Sequence, residues 1–230
     1  MATALDTQNS DVSDKTDLPG LASFIDDQWC HPALDRNSFI CDANTATPLQ
    51  KQWCCDEQQI EVALASSQRC DDRGDWENTS PQERAAVLDN IADELSSEKH
   101  LRSISFADSI TTGVIIRTTR KMAELVPLVF RAAAQYIREG NLEKKLPGPI
   151  GEVEYFRKPW GPASLIVPWN CPAAIGSHKI ASALAAGAPC IFKPSEWAPH
   201  SAIVMTQAIT KVGLPAGTFQ LTCGNRTIGG

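Results

Sequence analysis

The stretch from Leu165 to Glu196 constrains the fold more strongly than any other part of the sequence. Residues 163–167 form a short apolar run that ends at a proline, which is typical of a buried strand. Residues 173–186 are rich in alanine and contain no proline, so they favour a helix, and Gly187 stands where a helix commonly ends. Residues 189–192 are the next apolar run. The stretch therefore predicts a strand, a helix and a second strand.

A polar turn follows each of these two predicted strands. The first turn, residues 168–172, places Asn170 between two prolines, and each proline fixes its own φ and restricts the residue before it. The second turn, residues 193–196, carries Lys193 and Glu196. Ligands of open α/β sheets bind beyond the carboxyl ends of the strands, so both turns belong to the edge where a site is expected. Taken singly, Lys193 and Glu196 also fit an exposed charged pair, and Asn170 fits an ordinary turn asparagine.

Composition and charge exclude several classes of function. The chain has 21 basic and 27 acidic residues, a net charge of −6 without any basic run, which disfavours a nucleic-acid partner. No apolar run approaches the roughly 18 residues of a membrane span. Residues 1–20 lack the layout of a secretory signal, and four aspartates without an arginine disfavour a mitochondrial transit peptide. We therefore expect a cytoplasmic protein that contacts neither nucleic acid nor membrane.

The sequence contains eight cysteines, but their spacing predicts no metal site. No pair has the C-x-x-C spacing, and no His/Cys cluster has the spacing of zinc ligands. We expect mostly free thiols that behave as small hydrophobic residues. The adjacent pair Cys54 and Cys55 fits a strand on which one side chain faces inward and the other outward.

The region before the central stretch predicts a tail, small strands and then helices. Residues 1–20 are polar and predict a disordered tail. Residues 21–145 form the amino-terminal part of a domain, with a hairpin beginning at residues 24–29 and further short strands within residues 38–54. The predicted helices are residues 56–73, a helix capped by Ser80 that ends near residue 95, residues 97–111, and residues 119–138. Pro127 should kink or divide the last of these helices.

The carboxyl-terminal part predicts a crossing and then a repeating β-α-β pattern. Residues 146–160 are framed by prolines and glycines around one edge strand, residues 151–158. Residues 161–230 read β-α-β-α-β, with a second helix over residues 199–212 and a strand over residues 218–222, as in a parallel sheet. The final glycine-containing segment fits a dinucleotide-binding loop only weakly, and a plain turn equally well.

Several segments together resemble the aldehyde dehydrogenase superfamily. PWN, KIASALAAG, FKPSE and GLPAGTFQLTCG stand in that family's order and at its spacings, and FIDDQW, SPQERAAVLDNIADEL and SFADSITTG resemble its amino-terminal half. The resemblance covers about residues 24–230. It implies an α/β fold with an incomplete, Rossmann-type, doubly wound sheet, amino-terminal helices, and one oligomerisation strand within residues 146–160.

The resemblance also implies roles for individual residues. Asn170 would be the oxyanion-hole amide, and the adenosine ribose would be held by Lys193 and Glu196 with Ser195 nearby. The remaining implied cofactor contacts are Ile166, Trp169 and, in the glycine loop, Gly230. The cofactor would be NAD, because a carboxylate that accepts both ribose hydroxyls disfavours a 2′-phosphate. Arg226 leaves NADP as the alternative, since a guanidinium suits a phosphate. The substrate would be a small aldehyde, and the complete protein would be a homo-oligomer.

The resemblance implies the amino-terminal half of an enzyme. In the family, the general-base glutamate and the nucleophilic cysteine follow the glycine loop, so we expect a chain truncated before both and inactive alone. Cys171 is disfavoured as a substitute nucleophile because no base is evident beside it, and His178 lies within the predicted helix. The alternative interpretation is a non-catalytic fragment that binds a nucleotide or pairs with other subunits.

Overall fold

The computed structural model describes residues 18–226 of the chain. Most of the predicted disordered tail, residues 1–17, lies outside the described residues, as do residues 227–230. The end of that tail is packed, because Leu18 is buried in a small apolar cluster with Ala107 and Ile110. The prediction of disorder is therefore wrong where the tail meets the folded part.

Nine strands and six α-helices form the described part of the chain. The strands are β1 Ser23–Ile25, β2 Gln28–Cys30, β3 Leu34–Cys41, β4 Pro48–Cys54, β5 Glu143–Gly148, β6 Gly151–Phe156, β7 Ala163–Ile166, β8 Cys190–Lys193 and β9 Phe219–Leu221. The helices are α1 Glu57–Arg73, α2 Pro81–Leu95, α3 Glu98–Thr112, α4 Ile116–Arg138, α5 Pro172–Ala186 and α6 His200–Ile209, and a 3-10 turn, Thr210–Val212, extends α6. The α/β fold is confirmed.

The main sheet has the strand order β2-β1-β9-β8-β7. Strands β7, β8 and β9 are parallel, with Leu165 opposite Phe192 and Phe192 opposite Leu221. The predicted β-α-β-α-β unit is thus confirmed. The amino-terminal hairpin joins the same sheet, because β1 pairs antiparallel with β9. Two further hairpins, β3-β4 and β5-β6, stand apart from the main sheet.

Strand β5 was missed by the sequence interpretation. Residues 143–148 pair antiparallel with β6 through a continuous register from Glu143 opposite Phe156 to Gly148 opposite Gly151. Pro147 and Gly148 suggested a crossing, but an edge strand tolerates both residues, because a missing N–H there faces no ladder partner. The predicted strand 151–158 ends at Phe156 in the structure.

The helix starts and stops agree with the capping signals. Ser80 caps α2 through a capping box with Glu83, and Gly74 ends α1 with a φ of 68°. Helix α4 is continuous from Ile116 to Arg138, so of the two effects predicted for Pro127, a kink or a division, the division does not occur. Pro127 is buried on the same apolar face as Phe130, and burial of that long face outweighs one lost backbone hydrogen bond.

The core lies between the main sheet and helices α2, α4, α5 and α6, which share one continuous cluster of buried apolar side chains. Trp76 closes one side of it, and its indole Nε1 donates to the carbonyl of Leu184 at 3.0 Å. Cys54 and Cys55 are both fully buried, so the predicted alternation of inward and outward side chains is wrong. The reason is that β4 ends at Cys54, and the chain turns inward to pair the Cys55 N–H with the carbonyl of Cys223 at 2.7 Å.

Two negative findings apply to residues 18–226 only. Within this range no helix combines the length and the hydropathy that a membrane span requires. The same range holds no group of three or more His, Cys, Asp or Glu side chains arranged to bind a metal ion. The cytoplasmic location stays a prediction.

Candidate functional site

The pairing of β7 with β8 brings the two polar turns to one edge of the sheet. Ile166 is opposite Lys193, so the two strands end side by side. Beyond them, the Val167 N–H donates to the carbonyl of Lys193 at 3.0 Å. Parallel pairing with helical crossovers leaves the carboxyl ends of the strands open, and ligands of α/β sheets bind there.

The Lys193 ammonium is buried but makes little use of its hydrogen-bond donors. Its side chain is buried, with 7% of the residue exposed, and its Nζ donates one long hydrogen bond, 3.4 Å, to the carbonyl of Pro194. No carboxylate within residues 18–226 lies in ion-pair distance of it. Burial lowers the pKa of the Lys193 ammonium, and the charge of Glu196 opposes that effect. An ammonium has three donors, so Lys193 keeps hydrogen-bonding capacity for a partner.

Ser195 and Glu196 complete a polar cluster on the same turn. The Ser195 hydroxyl is buried, accepts from the Trp197 N–H at 3.3 Å, and lies 3.5 Å from Oε2 of Glu196. Glu196 is half-buried. The turn therefore offers an ammonium, a hydroxyl and a carboxylate at the end of β8, and these groups match the hydroxyls of a sugar.

The first turn presents an exposed amide. Asn170 is exposed, and across the described range its carboxamide makes no hydrogen bond to its own turn. Trp169 and Ile166 are 52% and 47% exposed, so both offer apolar surface beside it. Lys179 of α5 donates from Nζ to the carbonyl of Ile166 at 2.8 Å and so ties the end of β7 to the helix.

Asp108 is a buried ionisable group that the sequence interpretation missed. It lies on α3 with 4% of its surface exposed, near the amino terminus of α5. Burial raises the pKa of the Asp108 carboxyl to about 7, and the Ala173 N–H offsets part of that effect. No pattern in the sequence distinguishes this aspartate from an exposed one, because the adjoining helices bury it.

Cys171 does not have the environment of an activated nucleophile. Its Sγ is half-buried and lies 3.7 Å from Sδ of Met122. Burial, and to a lesser degree the charge of Asp108, raises the pKa of the Cys171 thiol. A catalytic thiolate requires the opposite shift, so the geometry agrees with the exclusion of Cys171.

A separate cleft of about 650 Å³ lies between α4 and α5. It is lined mainly by apolar side chains, with His178 and Arg157 among its polar groups. None of the six described candidate residues of the two turns lines it. The seventh candidate, Gly230, lies outside the described residues.

Comparison with known proteins identifies the family to which this site belongs. Residues 29–230 match the aldehyde dehydrogenase family. The chain belongs to this family. An aldehyde dehydrogenase of Rhodospirillum rubrum is 33% identical over 216 residues, which cover 90% of this chain and 40% of the relative. The NADP/NAD-dependent aldehyde dehydrogenase PuuC of Escherichia coli is 30% identical over 207 residues, with 87% and 40% coverage.

Solved structures of aldehyde dehydrogenases share the fold. The betaine aldehyde dehydrogenase of Staphylococcus aureus, in complex with NAD+, superposes with a TM-score of 0.80 at 25% sequence identity. The superposition covers 90% of this chain and 41% of that structure. The chain thus spans about 40% of the length of the curated relatives it matches.

Proposed function

We propose that this chain supplies the cofactor-holding and oxyanion-binding parts of an NAD(P)-dependent aldehyde dehydrogenase, which oxidises an aldehyde to a carboxylic acid. One observation carries the proposal: strands β7 and β8 end side by side, the buried Lys193 is the last residue of β8, and Asn170 lies in the turn after β7. The named activities of the bacterial relatives and the NAD+ complex of the Staphylococcus aureus protein support it.

The cluster of Lys193, Ser195 and Glu196 would hold the adenosine ribose of the cofactor. The spare donors of the buried Lys193 ammonium fit a ribose hydroxyl, and the Glu196 carboxylate can accept from both hydroxyls. The same carboxylate would repel a 2′-phosphate, so we favour NAD, with NADP as the alternative. Ile166 and Trp169 would form the apolar wall beside the cofactor. When bound, the nicotinamide ring supplies the hydride acceptor of the reaction.

Asn170 would act on the substrate rather than on the cofactor. Its amide N–H would donate to the oxygen of a small aldehyde as that oxygen gains negative charge, and such a preorganised donor is worth ~2.7–4 kcal/mol of barrier. The flanking Pro168 and Pro172 hold the donor in place before the reaction. We assign no nucleophile to Cys171, and we expect the 230-residue chain alone to bind cofactor without oxidising aldehyde.

Replacement of the ribose-binding carboxylate tests this proposal. Glu196→Gln keeps the shape of the side chain but removes its charge, so the Kd for NAD should rise about ten- to a hundredfold in calorimetry, as charged hydrogen bonds are lost. Glu94→Gln is the matched control, because Glu94 pairs with Lys211 on another surface at 3.1 Å. Equal NAD affinity of the wild-type chain and Glu196→Gln, or an equal loss in the control, would contradict the assignment.

The β5-β6 hairpin supports a second role, as an oligomerisation arm. Every residue of β6 is exposed, and Leu146 and Val153 form an exposed apolar cross-strand pair, with Phe156 also exposed. An open strand edge that also exposes apolar side chains invites pairing with another chain. We infer that a second copy of the chain packs here, so the protein would be a homo-oligomer. A fragment that only binds nucleotide or pairs with subunits stays the alternative to an enzyme.

A further inference from the structure

Strand β4 presents one face to the turn that carries the proposed ribose-binding residues. Gln50, Gln52 and Cys54 alternate along the strand and therefore point to the same side. Gln52 and Cys54 are buried. Burial raises the pKa of the Cys54 thiol.

Gln52 is bonded directly to the backbone of Glu196. Its Nε2 donates to the Glu196 carbonyl at 3.1 Å, and its Oε1 accepts from the Ser38 hydroxyl at 2.6 Å. A carbonyl oxygen only accepts, so the NH₂ end of the Gln52 amide must face Glu196. Ser38, on the paired strand β3, therefore orients the amide. The bond joins positions separated by 144 residues.

Gln50 anchors the other end of the same turn. Its Nε2 donates to the carbonyl of Pro19 at 3.1 Å, so its Oε1 faces Nε2 of His200, also 3.1 Å away. His200 is fully buried and is the first residue of α6. Burial lowers the pKa of His200 to about 4, so the neutral ring donates its Nε2–H to Gln50.

We propose that Gln52 and Gln50 are positioning residues that fix the Glu196 turn, residues 194–199, at its two ends, with Ser38 orienting the Gln52 amide. The proposal rests on the assignment of Glu196 to the ribose. Within residues 18–226, the one hydrogen bond to the Glu196 carboxylate is the 3.5 Å contact from the Ser195 hydroxyl, so its position depends on the backbone that Gln52 holds. A binding group must be kept within about 0.5 Å of its productive position by such supporting bonds.

The substitution Gln52→Met tests the role, because methionine keeps the length and volume of the side chain but removes both hydrogen bonds. Hydrogen exchange of the amides of residues 195–198, which lie between the two prolines of the turn, should become about three- to tenfold faster, while exchange in α2 stays unchanged. The Kd for ADP-ribose, measured by calorimetry on the 230-residue chain, should rise by a similar factor. Ser38→Ala should shift both readouts in the same direction by a smaller factor.

Gln68→Met is the matched control, because Gln68 donates at 2.8 Å to the exposed Asp72 of its own helix α1, and not to the turn. Unchanged exchange in residues 195–198 would overturn the proposal, and so would acceleration spread equally over α2, which indicates general destabilisation. If the wild-type chain binds neither NAD nor ADP-ribose, the proposed function fails. The exchange data would then still decide whether Gln52 fixes the turn.

Discussion

At the scale of single residues, the buried Asp108 leads us to expect a specific dependence of the free energy of unfolding on pH. Its folded-state pKa of about 7 lies above the unfolded value of 3.8, so the native state binds more protons than the unfolded state between these values. Its contribution to the free energy of unfolding therefore falls as pH rises from about 4 to 7, and the penalty is complete above pH 7. Asp108→Asn removes the titration.

Urea unfolding at pH 5 and pH 8 checks this prediction. The stability of Asp108→Asn relative to wild type should improve by on the order of 2 kcal/mol from the lower to the higher pH. His200, whose pKa is lowered to about 4, contributes a rise of stability with pH over about 4 to 6.5, but that contribution is the same in both proteins and cancels. Parallel stability curves for the two proteins would show that Asp108 does not titrate in this range.

At the scale of elements, we expect the β5-β6 hairpin to mediate the assembly of the chain into a homo-oligomer. Val153→Lys places a charge in the exposed apolar pair with Leu146, so it should convert an oligomer into a monomer of 24.9 kDa in sedimentation velocity. Glu152→Gln on the same strand is the control and should leave the assembly intact. A wild-type chain that is already monomeric at tens of micromolar would refute the role of the hairpin.

The same elements show what the sequence could and could not predict. The β7-α5-β8 unit was predictable because proline and glycine mark its boundaries and alanine fills its helix, and these are local signals. The attachment of β1 to β9 was not, because that antiparallel pair joins residues almost 200 positions apart. The sequence left open whether Pro127 kinks or divides α4, and the structure shows one continuous helix whose apolar face buries Pro127.

At the scale of the whole molecule, the residues of the candidate site also fall into two groups, those that the sequence could predict and those that it could not. The placement of Asn170 after β7 and of Lys193 at the end of β8 was predictable, because local signals mark both strands. Asp108 and Gln52 were not, because each becomes important only when a distant element buries it or bonds to it. The sequence therefore indicated the residues that we propose to bind ligands, and the fold was needed to identify Asp108 and Gln52.

The central claim is that this chain carries a site for the adenosine half of NAD. Competition calorimetry on the 230-residue chain tests it most directly, with NAD as the titrant and either ADP-ribose or nicotinamide mononucleotide as the competitor. We predict saturable binding of one NAD per chain, displaced by ADP-ribose and not by nicotinamide mononucleotide, because Lys193 and Glu196 would hold the adenosine ribose. Absence of saturable binding, or displacement by nicotinamide mononucleotide alone, would contradict it.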